Sequence, residues 1–130
     1  MIVGTEWLIE VFDADENALR DVEVLRSIFT SIIADLGLKT IGEPFWHQFG
    51  GECGITGLTA LTESHLACHT YPESNLATFN LYCCRSRPEW NREENFRALL
   101  GAESVKVEKI ERGHQVAIAE AKTAVGGDLR

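Results

Sequence analysis

Residues 19–36 carry the pattern that most limits what this chain can fold into. Leu19, Val22, Leu25, Phe29, Ile32 and Leu36 recur at three- and four-residue spacing. That spacing draws one apolar stripe along an amphipathic helix of about five or six turns at ~3.6 residues each. Asp13 or Asp15 can cap its start, and Gly37 stops it where a left-handed residue is favoured. Such a helix needs a surface to cover. The segment before it, TEWLIEVF at 5–12, sets Trp7, Ile9 and Val11 against Glu6 and Glu10, the period of a half-buried strand.

The rest of the chain is mostly strand. KTIGEPFWHQF at 39–49 reads as a strand interrupted at Gly42 and Pro44, and GGECG at 50–54 as a turn or loop. ITGLTALT at 55–62 and SHLACHTY at 64–71 read as two short strands that meet at Glu63–Ser64, with PESN at 72–75 as a turn. In LATFNLYCC at 76–84, Ala77, Phe79, Leu81 and Cys83 form an apolar face, and Thr78, Asn80, Tyr82 and Cys84 a more polar one. A second helix is expected over about 87–100, with Ser86 as cap, Pro88 in its first turn, Phe96, Leu99 and Leu100 inward, and Gly101 at its end. ESVKVEKI at 103–110 is a last strand, and the tail from Arg112 is expected to fray.

The order β-α-β-β-β-β-α-β predicts an α+β fold. It is a two-layer sandwich, a largely antiparallel sheet covered on one face by two helices. The other face meets solvent or a second subunit. No repeat or linker divides the 130 residues, so a single domain is expected.

The formal net charge of −8, with no basic cluster, argues against nucleic acid and mildly favours a cationic substrate. No apolar run could span a membrane. The N-terminus lacks a basic region and a small-residue cleavage site, so a cytoplasmic protein is expected. The four cysteines, Cys53, Cys68, Cys83 and Cys84, are then reduced, and none forms a C-x-x-C pair.

Chemistry concentrates in LTESHLACHTYPE at 61–73. His65, Cys68, His69, Cys83 and Cys84 are all metal-ligand types. Residues 68 and 69 point to opposite faces of a strand, as do 83 and 84, so a zinc shell would distort two strands together and no metal is expected. Cys53, Cys68 and Cys83 read as small core residues. Cys84 shares the polar face and is a candidate acid or nucleophile. Ser64 and His69 fall on opposite faces without a G-x-S-x-G elbow, so a hydrolytic pair would need a break at Ser64. On these residues alone the readings stay open.

TESHLACHTYPE followed by NLYCC resembles the bacterial and archaeal S-adenosylmethionine decarboxylases, small pyruvoyl-dependent enzymes made as proenzymes. The matching residues are Glu63-Ser64-His65, His69-Thr70-Tyr71-Pro72-Glu73 and Cys84, with Gly54-Ile55-Thr56-Gly57 and Trp46-His47-Gln48-Phe49 upstream. The likeness runs from about residue 4 to residue 111. It implies that Ser64 attacks the Glu63 carbonyl and that the resulting ester eliminates. It implies a cut into a β chain of 1–63 and an α chain of 64–130 that begins with a pyruvoyl group. It implies His69 as proton acceptor in processing and Thr56 as its support. Cys84 is implied as proton donor in catalysis, and the pyruvoyl as Schiff-base partner of the substrate amine. Phe49 and Glu73 match substrate-binding positions, and family members pair as homodimers with sites near the interface.

Some positions depart from the common pattern. Glu6 stands in place of a histidine, Tyr71 of a tryptophan, Asn80 of an aspartate and Arg85 of a glycine, and the loop at 50–53 is one residue longer. These bear on substrate. A basic amino acid such as arginine or ornithine, held by Glu6 and Glu52, is the alternative to S-adenosylmethionine. An unprocessed regulatory partner is the alternative to an enzyme.

Overall fold

In the computed structural model the described residues are 2–51, 53–84 and 92–113. Strand β1 (Gly4–Phe12) leads to helices α1 (Glu16–Leu19) and α2 (Val22–Leu36). Four strands follow, β2 (Thr40–Gln48), β3 (Ile55–Leu61), β4 (Ser64–Tyr71) and β5 (Leu76–Cys83), then helix α3 (Arg92–Leu100) and strand β6 (Ser104–Arg112). The six strands form one sheet in the order β2-β3-β4-β5-β1-β6, and every neighbouring pair is antiparallel. The fold is α+β, as expected, but among the described residues there are three α-helices instead of two.

The extra helix comes from a second cap. Asp15 accepts from the Asn17 amide at 3.3 Å and opens α1. Asp21 leaves the helical region at φ −106 and accepts from the Glu23 amide at 2.9 Å, so it opens α2 afresh. A short acidic side chain that can bond a nearby amide competes with a continuous helix. Asp13, the other proposed cap, lies ahead of α1 at φ 54. Asp21→Ala is expected to lower stability by about 1 kcal/mol, read by denaturant unfolding; an unchanged midpoint would remove its capping role. At the far end Gly37 adopts φ 65, and the Gly37 and Leu38 amides return to Ala34 and Ile33 at 3.3 and 2.9 Å.

The period-2 faces hold. Ile9 and Val11 of β1, Leu66 and Cys68 of β4, and Ala77, Phe79, Leu81 and Cys83 of β5 are buried under the helices. Phe29 of α2 stacks on Trp46 of β2, and Phe96 of α3 on Phe79 of β5, each with centroids 4.8 Å apart. Phe96 and Leu100 are fully buried, and Leu99 is half-buried beside them. Ser86 and Pro88, the expected start of this helix, lie outside the described residues, as does the tail beyond Gly113. Arg112 ends β6 instead of starting the tail. In the edge strand β2 the register shifts between Ile41 and Phe45, at the Gly42–Pro44 interruption, where proline's missing donor harms no ladder.

Another expectation fails. Cys53 is exposed in the loop before β3, not a core residue. The loop places it before the strand alternation begins, so no buried face claims it. Among the described residues no helix is long and apolar enough to cross a membrane.

Among the described residues no helix lies on the second face of the sheet. It carries Ile41, Phe45 and Leu58 well exposed, and polar side chains such as Thr56, His65, His69 and Asn80. Two cavities open on it. One of about 600 Å³ is lined by Ile41, Phe45, Leu58, Ala60, Ser64 and His65. The other, about 380 Å³, is lined by residues including Glu10, His69, Thr78, Asn80 and Lys106.

Candidate active site

The turn between β3 and β4 is Thr62–Glu63, so Ser64 is the first residue of β4. Leu61 opposes it on β3 and Cys83 opposes it on β5. Both are buried, so Ser64 turns its side chain toward the helices. Its Oγ is enclosed and has no hydrogen-bond partner among the described residues. A buried hydroxyl with no partner is costly in a finished fold, and it leaves the oxygen's lone pairs uncommitted.

Cys84 lies just past the end of β5, beside that turn. Its Sγ donates to the Glu63 carbonyl oxygen at 2.8 Å. The thiol therefore touches the carbonyl that precedes Ser64, and a donor there polarises the C=O bond. Cys84 and Cys83 separate as their faces predicted: Cys83 is buried and Cys84 exposed. Cys68 is also buried, which pushes its thiol up to about 12, against a smaller opposing effect of a backbone hydrogen bond from Gly57. A thiol so buried and so reluctant to ionise fits a core residue.

Thr56 and His69 are cross-strand partners on the uncovered face, with Thr56 Oγ1 3.1 Å from His69 Nδ1. Gly54 and Thr70 fix the segment that presents Thr56. The Thr70 hydroxyl accepts from the Ile55 amide at 2.9 Å and donates to the Leu19 carbonyl at 2.8 Å. A Cβ on Gly54 would fall 1.9 Å from the Thr70 carbonyl oxygen, so only glycine allows this approach. Phe49, exposed just beyond β2, meets the His47 ring edge-on with centroids 4.5 Å apart. Glu73 is exposed in the 3₁₀ turn Pro72–Ser74 that follows β4.

The seven residues singled out from the sequence thus fall into two groups. Glu63, Ser64 and Cys84 gather at one end of β4. Thr56, His69, Phe49 and Glu73 gather at the other. Five residue steps of extended strand separate Ser64 from His69, about 17 Å, and their side chains leave opposite faces. Within one chain His69 does not reach Ser64, and β4 has no break that would bring it there.

Sequence reasoning missed a polar chain at the Ser64 end. Asn80 Nδ2 donates to Glu6 Oε2 at 2.7 Å, and Arg112 Nη1 donates to Glu6 Oε1 at 2.8 Å. Two of the departures from the family pattern, Glu6 and Asn80, are therefore bonded to each other. Glu6 is already engaged by Arg112, which argues against its holding a basic substrate; Glu52 lies outside the described residues. Period-2 alternation places Glu6 and Asn80 on the uncovered face, but nothing local indicates that their strands pair.

The hydrogen bond from Asn80 holds the Glu6 carboxyl below its usual range, against partial burial and with further help from Arg112. A depressed carboxylate stabilises the fold above its unfolded value and loses that contribution as pH falls through the folded one. The stability advantage of the native chain over Glu6→Gln is therefore expected to be full above pH 4.5 and to shrink as pH falls from there through the lower folded value. Paired unfolding curves across that range check this; an advantage that does not change with pH would refute it.

Comparisons with known proteins bear on the family and the fold. The family model described as S-adenosylmethionine decarboxylase matches residues 5–113. The S-adenosylmethionine decarboxylase proenzyme of Prochlorococcus marinus is 33% identical over 122 residues, covering 92% of this chain and 95% of that protein. The proenzyme of the same name from Caldanaerobacter subterraneus subsp. tengcongensis is 29% identical over 112 residues, covering 85% and 89%. The crystal structure of the adenosylmethionine decarboxylase from Aquifex aeolicus VF5 superposes with a TM-score of 0.73 at 26% identity, covering 86% of this chain and 92% of that one.

Proposed function

Because this chain belongs to the S-adenosylmethionine decarboxylase family, we propose that it cuts itself between Glu63 and Ser64 and then decarboxylates S-adenosylmethionine. The product would feed spermidine biosynthesis in the cytoplasm. The observation that carries this reading is the Cys84 thiol on the Glu63 carbonyl, together with the enclosed Ser64 hydroxyl, which has no partner among the described residues.

Ser64 Oγ forms a bond to the Glu63 carbonyl carbon, the Glu63–Ser64 C–N bond breaks, and the hydroxyl proton ends on the freed nitrogen. Cys84 steadies the oxygen of that carbonyl while it carries charge. Removal of the Ser64 α-proton then expels Glu63 as a carboxylate, and loss of ammonia to water leaves a pyruvoyl group at residue 64. The enclosed, uncommitted hydroxyl fits this origin of the cofactor. Once formed, the group supplies an electron sink for the loss of carbon dioxide. Cys84, whose thiol meets the Glu63 carbonyl, would return a proton to the substrate carbon. Phe49 offers a ring face to the substrate sulfonium or base, and Glu73 offers a carboxylate to its ribose hydroxyls.

The base for the α-proton is His69, and the separation within one chain supports its coming from a second copy. Ser64 points its side chain at the helices, so tetrahedral geometry leans its Cα–H toward the uncovered face. A two-fold pairing of uncovered faces would lay the His69 end of one sheet over the Ser64 end of the other. It would also bury Ile41, Phe45 and Leu58. The site would then be made from both chains of a homodimer, with Thr56, His69, Phe49 and Glu73 supplied by the partner.

An intact mass spectrum tests the cleavage. Two chains are expected, parted between residues 63 and 64, the second lighter by one ammonia than simple hydrolysis would leave it. An uncut chain of 130 residues would overturn the reading in favour of a non-catalytic partner. Release of carbon dioxide from S-adenosylmethionine, and not from arginine or ornithine, tests the substrate.

A further inference from the structure

Four side chains form one hydrogen-bonded chain across the uncovered face and end beside the cleavage turn. Arg112 of β6 donates to Glu6 of β1, Asn80 of β5 donates to Glu6, and Asn80 Oδ1 lies 2.8 Å from Nε2 of His65 on β4. Tyr82 lies among them. The Arg112 guanidinium sits 5.8 Å from its ring centre, and the His65 ring packs against it with centroids 5.9 Å apart. Gly4 makes room for that ring, since a Cβ there would fall 2.6 Å from the Tyr82 hydroxyl.

The chain has a direction. The Glu6 carboxylate can only accept, so Asn80 must present its amide NH₂ to Glu6 and its carbonyl to His65. His65 Nε2 then carries a proton, and the ring is held in one orientation. An aspartate at 80 would turn a carboxylate toward Glu6 and lose the donor.

His65 is the residue after Ser64. When the Glu63–Ser64 bond is broken, the start of β4 becomes a chain end, and chain ends fray unless tied down. The group formed at residue 64 is useful only if it stays in place against Cys84, where an error of about 1 Å can cost ~100-fold in rate. Resting on the cleavage reading above, we propose that Arg112, Glu6 and Asn80 are positioning residues that act through His65 to hold the new chain end at residue 64. Around His65 stand Tyr82 and Asn80 of β5, Glu6 of β1, Arg112 of β6, Ala60 of β3 and, across the cavity, Glu43 of β2.

The test uses the full chain with Asn80→Asp, His65→Ala, and the exchange Glu6→Gln with Asn80→Asp. Cut fraction is read by intact mass, kcat and KM per cut chain by carbon dioxide release, and Tm by thermal unfolding. Asn80→Asp is expected to lower kcat about 10-fold or more with KM within about 2-fold. The exchange rebuilds both hydrogen bonds with amide and carboxylate swapped, and is expected to return kcat to within about 3-fold of the native chain. Adding Asn80→Asp to His65→Ala should cost nothing further, because the chain then has nothing to hold. If Asn80→Asp is not cut at all, cutting restored by the exchange supports the same role at the earlier step.

A native kcat in Asn80→Asp overturns the proposal. So does an exchange no better than the single variant, or a Tm that falls while kcat per cut chain stays native. An uncut native chain overturns the cleavage reading and this one with it, whereas a cut native chain indifferent to Asn80→Asp overturns this one alone.

Discussion

Chains carrying Ser64→Ala and chains carrying His69→Ala, each uncut when made alone, are expected to yield cut His69→Ala chains when made together. In the function proposed above, the first variant lacks the attacking hydroxyl and the second lacks the base. General bases of this kind contribute about 10²–10⁴-fold, so His69→Ala alone should stay essentially whole over the time the native chain needs. In a mixed dimer the Ser64→Ala copy still carries His69, and the His69→Ala copy still carries Ser64. Random pairing places about half of each chain type in mixed dimers, so about half of the His69→Ala chains should be cut and none of the Ser64→Ala chains. The reason is the roughly 17 Å of strand between the two residues and their opposite faces. If His69 acted within its own chain, co-expression would rescue nothing. Intact mass reads the answer directly, because the two substitutions label the chains.

Replacing Cys84 is expected to separate two steps that share one side chain. Cys84→Ala removes the donor on the Glu63 carbonyl, seen at 2.8 Å, and, in the function proposed above, the proton source for the decarboxylated substrate. Loss of one hydrogen bond to a reacting carbonyl should slow cutting about 10-fold or more. Loss of the general acid should lower turnover of whatever is cut by about 10²–10⁴-fold. Cys84→Ser keeps a donor of similar reach but replaces the thiol by a far weaker acid. It should be cut nearly as the native chain is, while its turnover falls almost as far as that of Cys84→Ala. Equal turnover for Cys84→Ser and the native chain would remove Cys84 as the acid. Normal cutting of Cys84→Ala would show the contact with Glu63 to be incidental.

The faces of the strands were legible because backbone geometry sets them locally. Alternation along 76–84 separated Cys83 from Cys84 before any pairing was known, and the two cysteines differ in burial as that alternation requires. The helix 22–36 and its end at Gly37 were legible for the same reason. The break at Asp21 was not, because the apolar stripe runs on through it and only the side-chain bond to Glu23 reveals a new start. The exposure of Cys53 was missed because a loop has no period to read.

What the sequence by itself determined is therefore what depends on neighbours within a few residues: element types, buried faces and the motif that carries the family. Only the tertiary structure decided which strands lie side by side. It inserted β1 between β5 and β6, joining Glu6 to Asn80 and to Arg112 across 74 and 106 positions of chain. It also brought Cys84 onto Glu63 and carried His69 to the far end of β4. The period of a strand follows from steric limits at each residue, and those are local. The partner of a strand is chosen by how the whole chain buries its apolar faces, and no short stretch of sequence contains that choice.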